Sequence, residues 1–214
     1  MHKPSPAFCP EGLPYLGFFA FVTLVCAILG WPAPALVFLG LTTLTLNFFR
    51  NPLRVVPSES GVVVSAADGK VVKVGPMPDP LTGEERTAIC VFMNVFNVHV
   101  NRFPVAGKVL RIGYIPGKFC NASFDKASKD NERNIVALET PEGERFTVVQ
   151  IAGLIARRIV CWAEEGDSLA RGQRFGLIKF GSRVDLYLPS DYESVVRIGE
   201  KVFAGQSILA RKKR

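Results

Sequence analysis

Between Gly12 and Phe49 the chain carries no charged residue. That run constrains the fold more than any other feature, because a segment so apolar must be buried in protein or in lipid. Gly30-Trp31-Pro32-Ala33-Pro34 splits it into LPYLGFFAFVTLVCAILG and APALVFLGLTTLTLNFF, 18 and 17 residues long. Each half sits at the lower limit for crossing a hydrocarbon core of roughly 30 Å at about 1.5 Å per residue. Three fates compete. A cleaved signal peptide would use Lys3, the first half and Ala33-Pro34-Ala35, but cleavage would leave the second half exposed. A buried soluble hairpin is unusual for segments apolar on all sides in a chain of this size. The third is a transmembrane or deeply inserted helical hairpin over residues 1–54, and it is the expectation adopted. Lys3 precedes it, Arg50 and Arg54 follow it, and nothing basic sits at the turn. Both ends are therefore expected on the cytoplasmic side of the cell (inner) membrane.

After Asn51-Pro52 the texture changes to short β-branched runs separated by turn signals. The runs are 61–66, 70–75, 87–93, 108–115, 134–140, 145–160, 174–180, 182–188 and 194–198. They predict a mainly β, antiparallel domain over 55–214, with a short helix near 150–158 and a long loop at 116–133. GDSLARGQRFGLI (166–178) and GEKVFAGQSILAR (199–211) align without a gap 33 residues apart. The shared G-[DE]-x-[LV]-x-x-G-Q pattern describes a glycine turn between strands, and its repetition predicts two similar hairpins in a barrel- or sandwich-hybrid-like domain. The pattern resembles the hairpins of biotinyl and lipoyl carrier domains, a likeness of fold that decides nothing about function.

Lysine and arginine number 26 against 19 acidic residues, a net charge of +7 that favours an anionic partner. Basic residues are not interleaved with aromatics, which argues against nucleic acid, and Arg211-Lys212-Lys213-Arg214 reads as a tail for anionic lipid. The five scattered cysteines lack CxxC spacing, which suits a reducing compartment and supports neither a disulfide framework nor a zinc site.

Few residues are equipped for chemistry. Ser182 follows Gly181 at the head of an alternating strand, where Val184, Leu186 and Leu188 face one side and Arg183, Asp185 and Tyr187 the other. Gly181-Ser182 is either a bulge at a strand start or a hydroxyl placed for reaction. His2 lies at the terminus, so histidine chemistry falls on His99, in VFMNVFNVHVNRFPVAG beside Asn97, Asn101 and Arg102. A lone histidine at a strand end is more often a hydrogen-bonded structural residue, and Asp68 in Asp68-Gly69 is more often a turn residue. There is no G-x-S-x-G elbow, no phosphate-binding loop and no metal-ligand spacing. Ser182, His99 and Asp68 form a Ser-His-Asp set by residue type alone.

SAADGKVV (65–72), FNVHVNRFPVAG (96–107), FDKASKDNERN (124–134), QIAGLIARRIV (150–160) and GDSLARGQRFGLIKFGSRVDLYLP (166–189) resemble the phosphatidylserine decarboxylase proenzymes, most closely their short prokaryotic branch. The resemblance runs from about residue 50 to the C-terminus. It implies self-cleavage between Gly181 and Ser182 into a larger β chain, 1–181, and a smaller α chain, 182–214. The Ser182 hydroxyl would attack the Gly181 carbonyl, β-elimination would release the chain ending at Gly181, and loss of ammonia would leave a pyruvoyl group at 182. Glycine before the serine lets the backbone bend into near-attack geometry. The ketone would then form a Schiff base with the substrate amine and accept electrons as carbon dioxide leaves. No pyridoxal phosphate and no metal are implied. Asp68 matches the aspartate that assists self-cleavage. His99 matches the first of two family histidines, the one assigned to decarboxylation, as proton donor to the carbanion. Arg102 stands where the second is expected, so the part of His99 in maturation is open.

The substrate so implied is phosphatidylserine in an anionic membrane, with an ester- or ether-linked lipid backbone. Arg102, Lys118, Lys126 and Arg133 are candidates for its phosphate, each equally readable as a solvated charge. The two pieces would stay together as a heterodimer, with further oligomerisation open and no nucleic-acid partner. The rival from another class is a non-enzymatic, membrane-tethered adaptor or carrier with a lipoyl-like hybrid barrel. The repeated turns and Asp125-Lys126-Ala127 favour it. Its weakness is that Lys126 lies in the long loop and not between the repeats.

Overall fold

The computed structural model describes residues 7–117, 131–153, 158–179 and 182–213. The chain divides into two compact units, Met1–Leu53 and Arg54–Arg214. In the first, helices α1 (Leu13–Ile28) and α2 (Pro32–Phe48) are joined through Gly30, whose φ is 70°. Each starts on a proline-bearing first turn, where the missing N–H costs nothing. Thr23, Thr42, Thr43 and Thr45 donate their hydroxyls to carbonyls four residues back, so these four hydroxyls are satisfied within their own helices. The entering and leaving strands of chain are tied. The Cys9 N–H donates to the Phe49 carbonyl at 2.8 Å and the Asn51 N–H to Ala7 at 2.7 Å. Phe18, Phe21, Leu24, Ile28, Leu36 and Val37 are all exposed. Pro10–Ile28 is long and apolar enough to cross a membrane; Pro32–Phe48 is a shorter apolar helix.

The second unit is a curled antiparallel half-barrel. Its strands are β1 (Val62–Val64), β2 (Gly69–Pro78), β3 (Glu85–Met93), β4 (Val100–Arg102), β5 (Gly107–Ile115), β6 (Arg133–Glu139) and β7 (Arg145–Ala152). They continue with β8 (Ile159–Cys161), β9 (Ser168–Leu169), β10 (Arg174–Ile178), β11 (Ser182–Tyr187), β12 (Tyr192–Ser194), β13 (Lys201–Val202) and β14 (Ile208–Lys212). Eight strands form one sheet in the order β13-β2-β3-β11-β7-β6-β5-β9, and two smaller sheets run β4-β10-β8 and β1-β14-β12.

The repeat is conformational as well as sequential. Gly166 and Gly199 have φ of 94° and 95°, and Gly172 and Gly205 have 77° and 74°, a region that L side chains avoid. Each copy sends its short strand, β9 or β13, to one edge of the large sheet. Each then sends its longer strand, β10 or β14, to the centre of a three-stranded sheet. The expected helix near 150–158 is corrected in part. Residues 150–152 finish β7 and 159–161 form β8, while 154–157 lie outside the described residues. The Val-rich run Val148-Val149-Gln150-Ile151 pairs on both sides, and that pairing overrides any helical reading. Of 194–198, only Ser194 is in a strand.

Strand β11 is buried on both faces, where alternation alone suggested one. Val184, Leu186 and Leu188 join the main core with Ile89, Val91 and Val148. Tyr187 joins a second cluster with Ala88, Ile135, Val149 and Ile151, against which Met77, Leu81 and Ile115 pack. Arg183 and Asp185, on that second face, are 0% exposed.

Candidate active site

Ser182 opens β11 in regular register. It faces Met93 on β3 and Ala152 on β7, and the pairing continues without a shift to Tyr187. The described strand start contains no bulge; Gly181 itself lies outside the described residues. Ser182 is 0% exposed, and residues directly opposite across antiparallel strands share a face, so its hydroxyl points into the main core with Met93. There it donates to the Met93 thioether, Oγ to Sδ 3.9 Å. A thioether is a weak acceptor.

A second donor uses the same sulfur. Asn101 on β4 places Nδ2 at 3.8 Å from Met93 Sδ. Its Oδ1 accepts from Gln150 Nε2 at 2.8 Å, and Gln150 Oε1 accepts from Asn134 Nδ2 at 2.9 Å. All three amides are buried. Sulfur can only accept, so the Asn101 amide must turn its NH2 toward Met93, and the direction of the two remaining bonds follows. Gly176 makes room for this chain: a Cβ there would lie 2.7 Å from Gln150 Nε2 and 2.5 Å from the Val160 carbonyl oxygen.

His99, two residues before Asn101, is also 0% exposed. Its Nδ1 lies 3.0 Å from the Asn97 carbonyl, and its own carbonyl accepts from the Ile178 N–H at 3.4 Å. The segment bearing His99 is thus bonded to the end of β10, four residues before Ser182. Asp68 is engaged from another direction. Its Oδ2 ion-pairs with Arg54 at 2.7 Å, and its Oδ1 accepts from the Ala204 N–H at 2.7 Å. Arg54 continues to Gln206 Oε1 at 2.7 Å, so the second repeat supplies part of the cradle for Asp68.

Of the four residues expected at the phosphate, Arg102 and Arg133 are among the described residues. Arg102 donates to the Gly172 carbonyl at 2.9 Å, and its Cδ packs where a side chain on Gly205 would go. Arg133 opens β6 and reaches the Asn131 carbonyl at 3.5 Å. Lys118 and Lys126 lie outside the described residues. Of the basic C-terminus, Arg211 and Lys212 end strand β14, and Arg214 lies outside the described residues. Arg211 pairs with Glu59 at 2.6 Å, Lys212 with Glu144, and Lys213 donates to the Ser190 carbonyl at 2.7 Å.

On the far face of β11, Arg183 grips Asp185 through two bonds of 2.6 and 2.8 Å and donates to Cys90 Sγ at 3.1 Å. Burial, with the nearby Asp185 charge, pushes the Cys90 thiol far above its ordinary range, so it is an acceptor here and not a nucleophile.

The residues that sequence reasoning passed over are Met93, Gln150, Asn134 and Arg54. The signal for two of them was present: Asn134 and Gln150 are amides inside otherwise apolar strand runs, NIVAL and VVQIA. Gln150 is in the same row as Val184, so it had to face the core.

Comparison with known proteins gives one answer. The sequence model of the family described as phosphatidylserine decarboxylase matches residues 41–210. A protein of Solidesulfovibrio magneticus is 58% identical over 212 residues, covering 99% of each chain. One of Nitratidesulfovibrio vulgaris is 57% identical, covering 99% of this chain and 98% of its own. One of Syntrophotalea carbinolica is 53% identical, covering 98% of each. All three are named phosphatidylserine decarboxylase proenzyme.

Proposed function

The chain belongs to the phosphatidylserine decarboxylase family and is a decarboxylase; on that premise we propose that it converts phosphatidylserine to phosphatidylethanolamine and carbon dioxide after cleaving itself between Gly181 and Ser182. The observation that carries this reading is the setting of Ser182. A serine hydroxyl with 0% exposure, held at the head of a central strand with only a thioether to bond among the described residues, is placed for reaction and not for solubility.

In maturation the Ser182 oxygen attacks the Gly181 carbonyl and turns the amide into an ester; elimination leaves a dehydroalanine whose imine tautomer takes up one water, which supplies the ketone oxygen, and releases ammonia to leave a pyruvoyl group. A three-carbon acyl group fits the space that Ser182 fills, between Met93 and Ala152 and shielded from water. That group supplies a carbonyl that condenses with the substrate amine and accepts the electron pair as carbon dioxide departs. Other jobs fall to side chains. Asp68, fixed by Arg54 and the Ala204 N–H, assists self-cleavage. His99 returns a proton to the carbon that has lost carbon dioxide. Arg102, Lys118, Lys126 and Arg133 are the basic groups available to the phosphate diester. Strand β11 is flanked by β3 and β7, so the new α chain would remain bound to the β chain after the break. The apolar hairpin would hold the enzyme at the bilayer that contains its substrate, with the catalytic unit on the cytoplasmic side. The names of the relatives favour this enzyme over the adaptor reading.

The test is carbon dioxide release from vesicles containing phosphatidylserine. Native protein is expected to release it, and Ser182→Ala is expected to stay one chain and release none. An uncleaved Ser182→Ala protein that still decarboxylates the lipid would overturn the proposal.

A further inference from the structure

Two donors converge on one poor acceptor in the core, and nothing in the fold requires it. Met93 Sδ receives Asn101 Nδ2 at 3.8 Å and Ser182 Oγ at 3.9 Å. Behind Asn101, Gln150 and Asn134 hold the amide so that its NH2 faces the sulfur it shares with Ser182 and its oxygen faces away. Three buried amides cost more to desolvate than apolar residues of the same shape, so a chain of them ending on a thioether calls for an acceptor better than sulfur.

We propose that Asn101 is a catalytic residue of self-cleavage, stabilising the leaving oxygen in the elimination step, with Gln150 and Asn134 as its positioning residues. The inference rests on the self-cleavage reading and adds a group to it. In the ester, Ser182 Oγ joins Cβ of residue 182 to the Gly181 acyl carbon. A base removes the α-proton of residue 182, and the C–H electron pair becomes the Cα=Cβ double bond. The Cβ–Oγ pair goes to Oγ, which leaves as an oxygen of the Gly181 carboxylate. Negative charge therefore grows on an atom that shares the Met93 sulfur with the Asn101 NH2, and that donor can turn to it once the thioether moves aside. An oriented donor at developing charge in a water-free site is what lowers such a barrier. Met93, with a flexible thioether, keeps the place until then and can withdraw.

Two isosteric substitutions test this. Asn101→Asp keeps an oxygen to accept from Gln150 but removes the NH2. Gln150→Glu leaves Asn101 intact but offers it an acceptor in place of a donor, which turns the NH2 away from the sulfur it shares with Ser182. Each is expected to mature roughly 10–100-fold more slowly. Each is also expected to accumulate the ester, which hydroxylamine splits into a 1–181 hydroxamate and a fragment beginning with unmodified Ser182. Folded variants that mature at the native rate, or that stall with no hydroxylamine-sensitive bond, overturn the role. The native sequence gives a check without either substitution. The Asn101 side-chain 15N–H resonances should differ between uncleaved Ser182→Ala and matured protein, and identical resonances contradict the proposal. If native protein never cleaves, it is the self-cleavage reading that fails.

Discussion

Adding a Cβ at Gly69 would place it 2.1 Å from the Phe92 carbonyl oxygen, a backbone atom that cannot swing aside. Phe92 precedes Met93, and Asp68 precedes Gly69, so one methyl group would push apart the two segments that carry the Ser182 neighbour and the aspartate proposed to assist self-cleavage. Gly69→Ala is expected to slow fragment formation on a denaturing gel by tenfold or more, on the order of the loss expected when catalytic groups shift by an ångström. Arg54 makes a different kind of contribution. Its ion pair with Asp68 is nearly buried, with side-chain exposures of 9% and 5%. Arg54→Met leaves that carboxylate without its counter-charge and is expected to cost about 3 kcal/mol. Urea unfolding of the variant in a Ser182→Ala background, where no cleavage intervenes, measures it; an unchanged midpoint would contradict the structural weight given to the pair.

Among the elements, β11 joins chemistry to stability. Its first residue carries the hydroxyl proposed to react, and the Arg183–Asp185 pair on its other face fixes the strand from below. Arg183→Leu alone strands Asp185 and is expected to be far more destabilising than the double change Arg183→Leu with Asp185→Leu, a comparison that thermal melts can make. Strand β14 has a pH-dependent tie. Desolvation acts to raise the Glu144 carboxyl, but bonds from Lys212, Tyr192 and Thr140 outweigh it and hold the group below its ordinary range. A carboxyl lowered by folding stabilises at neutral pH, and that contribution is lost as pH falls from about 4.3 through the folded value. Glu144→Gln is therefore expected to flatten the acid limb of a stability-against-pH curve. The strands and turns were legible in the sequence because period-two runs and glycine punctuation report local geometry directly. The burial of Arg183 and Asp185 was not, since alternation says which side chains are polar and not which see water. The amide chain from Asn101 through Gln150 to Asn134 joins three strands, β4, β7 and β6, and one-dimensional spacing holds no trace of such a junction. Serine, histidine and aspartate were visible as residue types; that Asp68 rests on Arg54 and Ala204 required the fold.

In the whole molecule an apolar hairpin precedes a β unit that is proposed to process itself. The charges at Lys3, Arg50 and Arg54 predict a cytoplasmic catalytic unit, so trypsin should digest residues 54–214 in inside-out membrane vesicles and spare them in right-side-out ones. Protection in the inside-out preparation would reverse the proposed orientation. The repeat gives each edge of the large sheet a short strand and each small sheet its centre. Its G-[DE]-x-[LV]-x-x-G-Q pattern thus serves architecture, while the reactive pair sits just after the first copy. The central claim is that this chain breaks its own backbone before Ser182, and intact mass reads that most directly. Active protein is expected as two pieces, residues 1–181 and 182–214, with the smaller lacking a free amino group. A single unbroken chain of 23.4 kDa in a preparation that decarboxylates phosphatidylserine would contradict it.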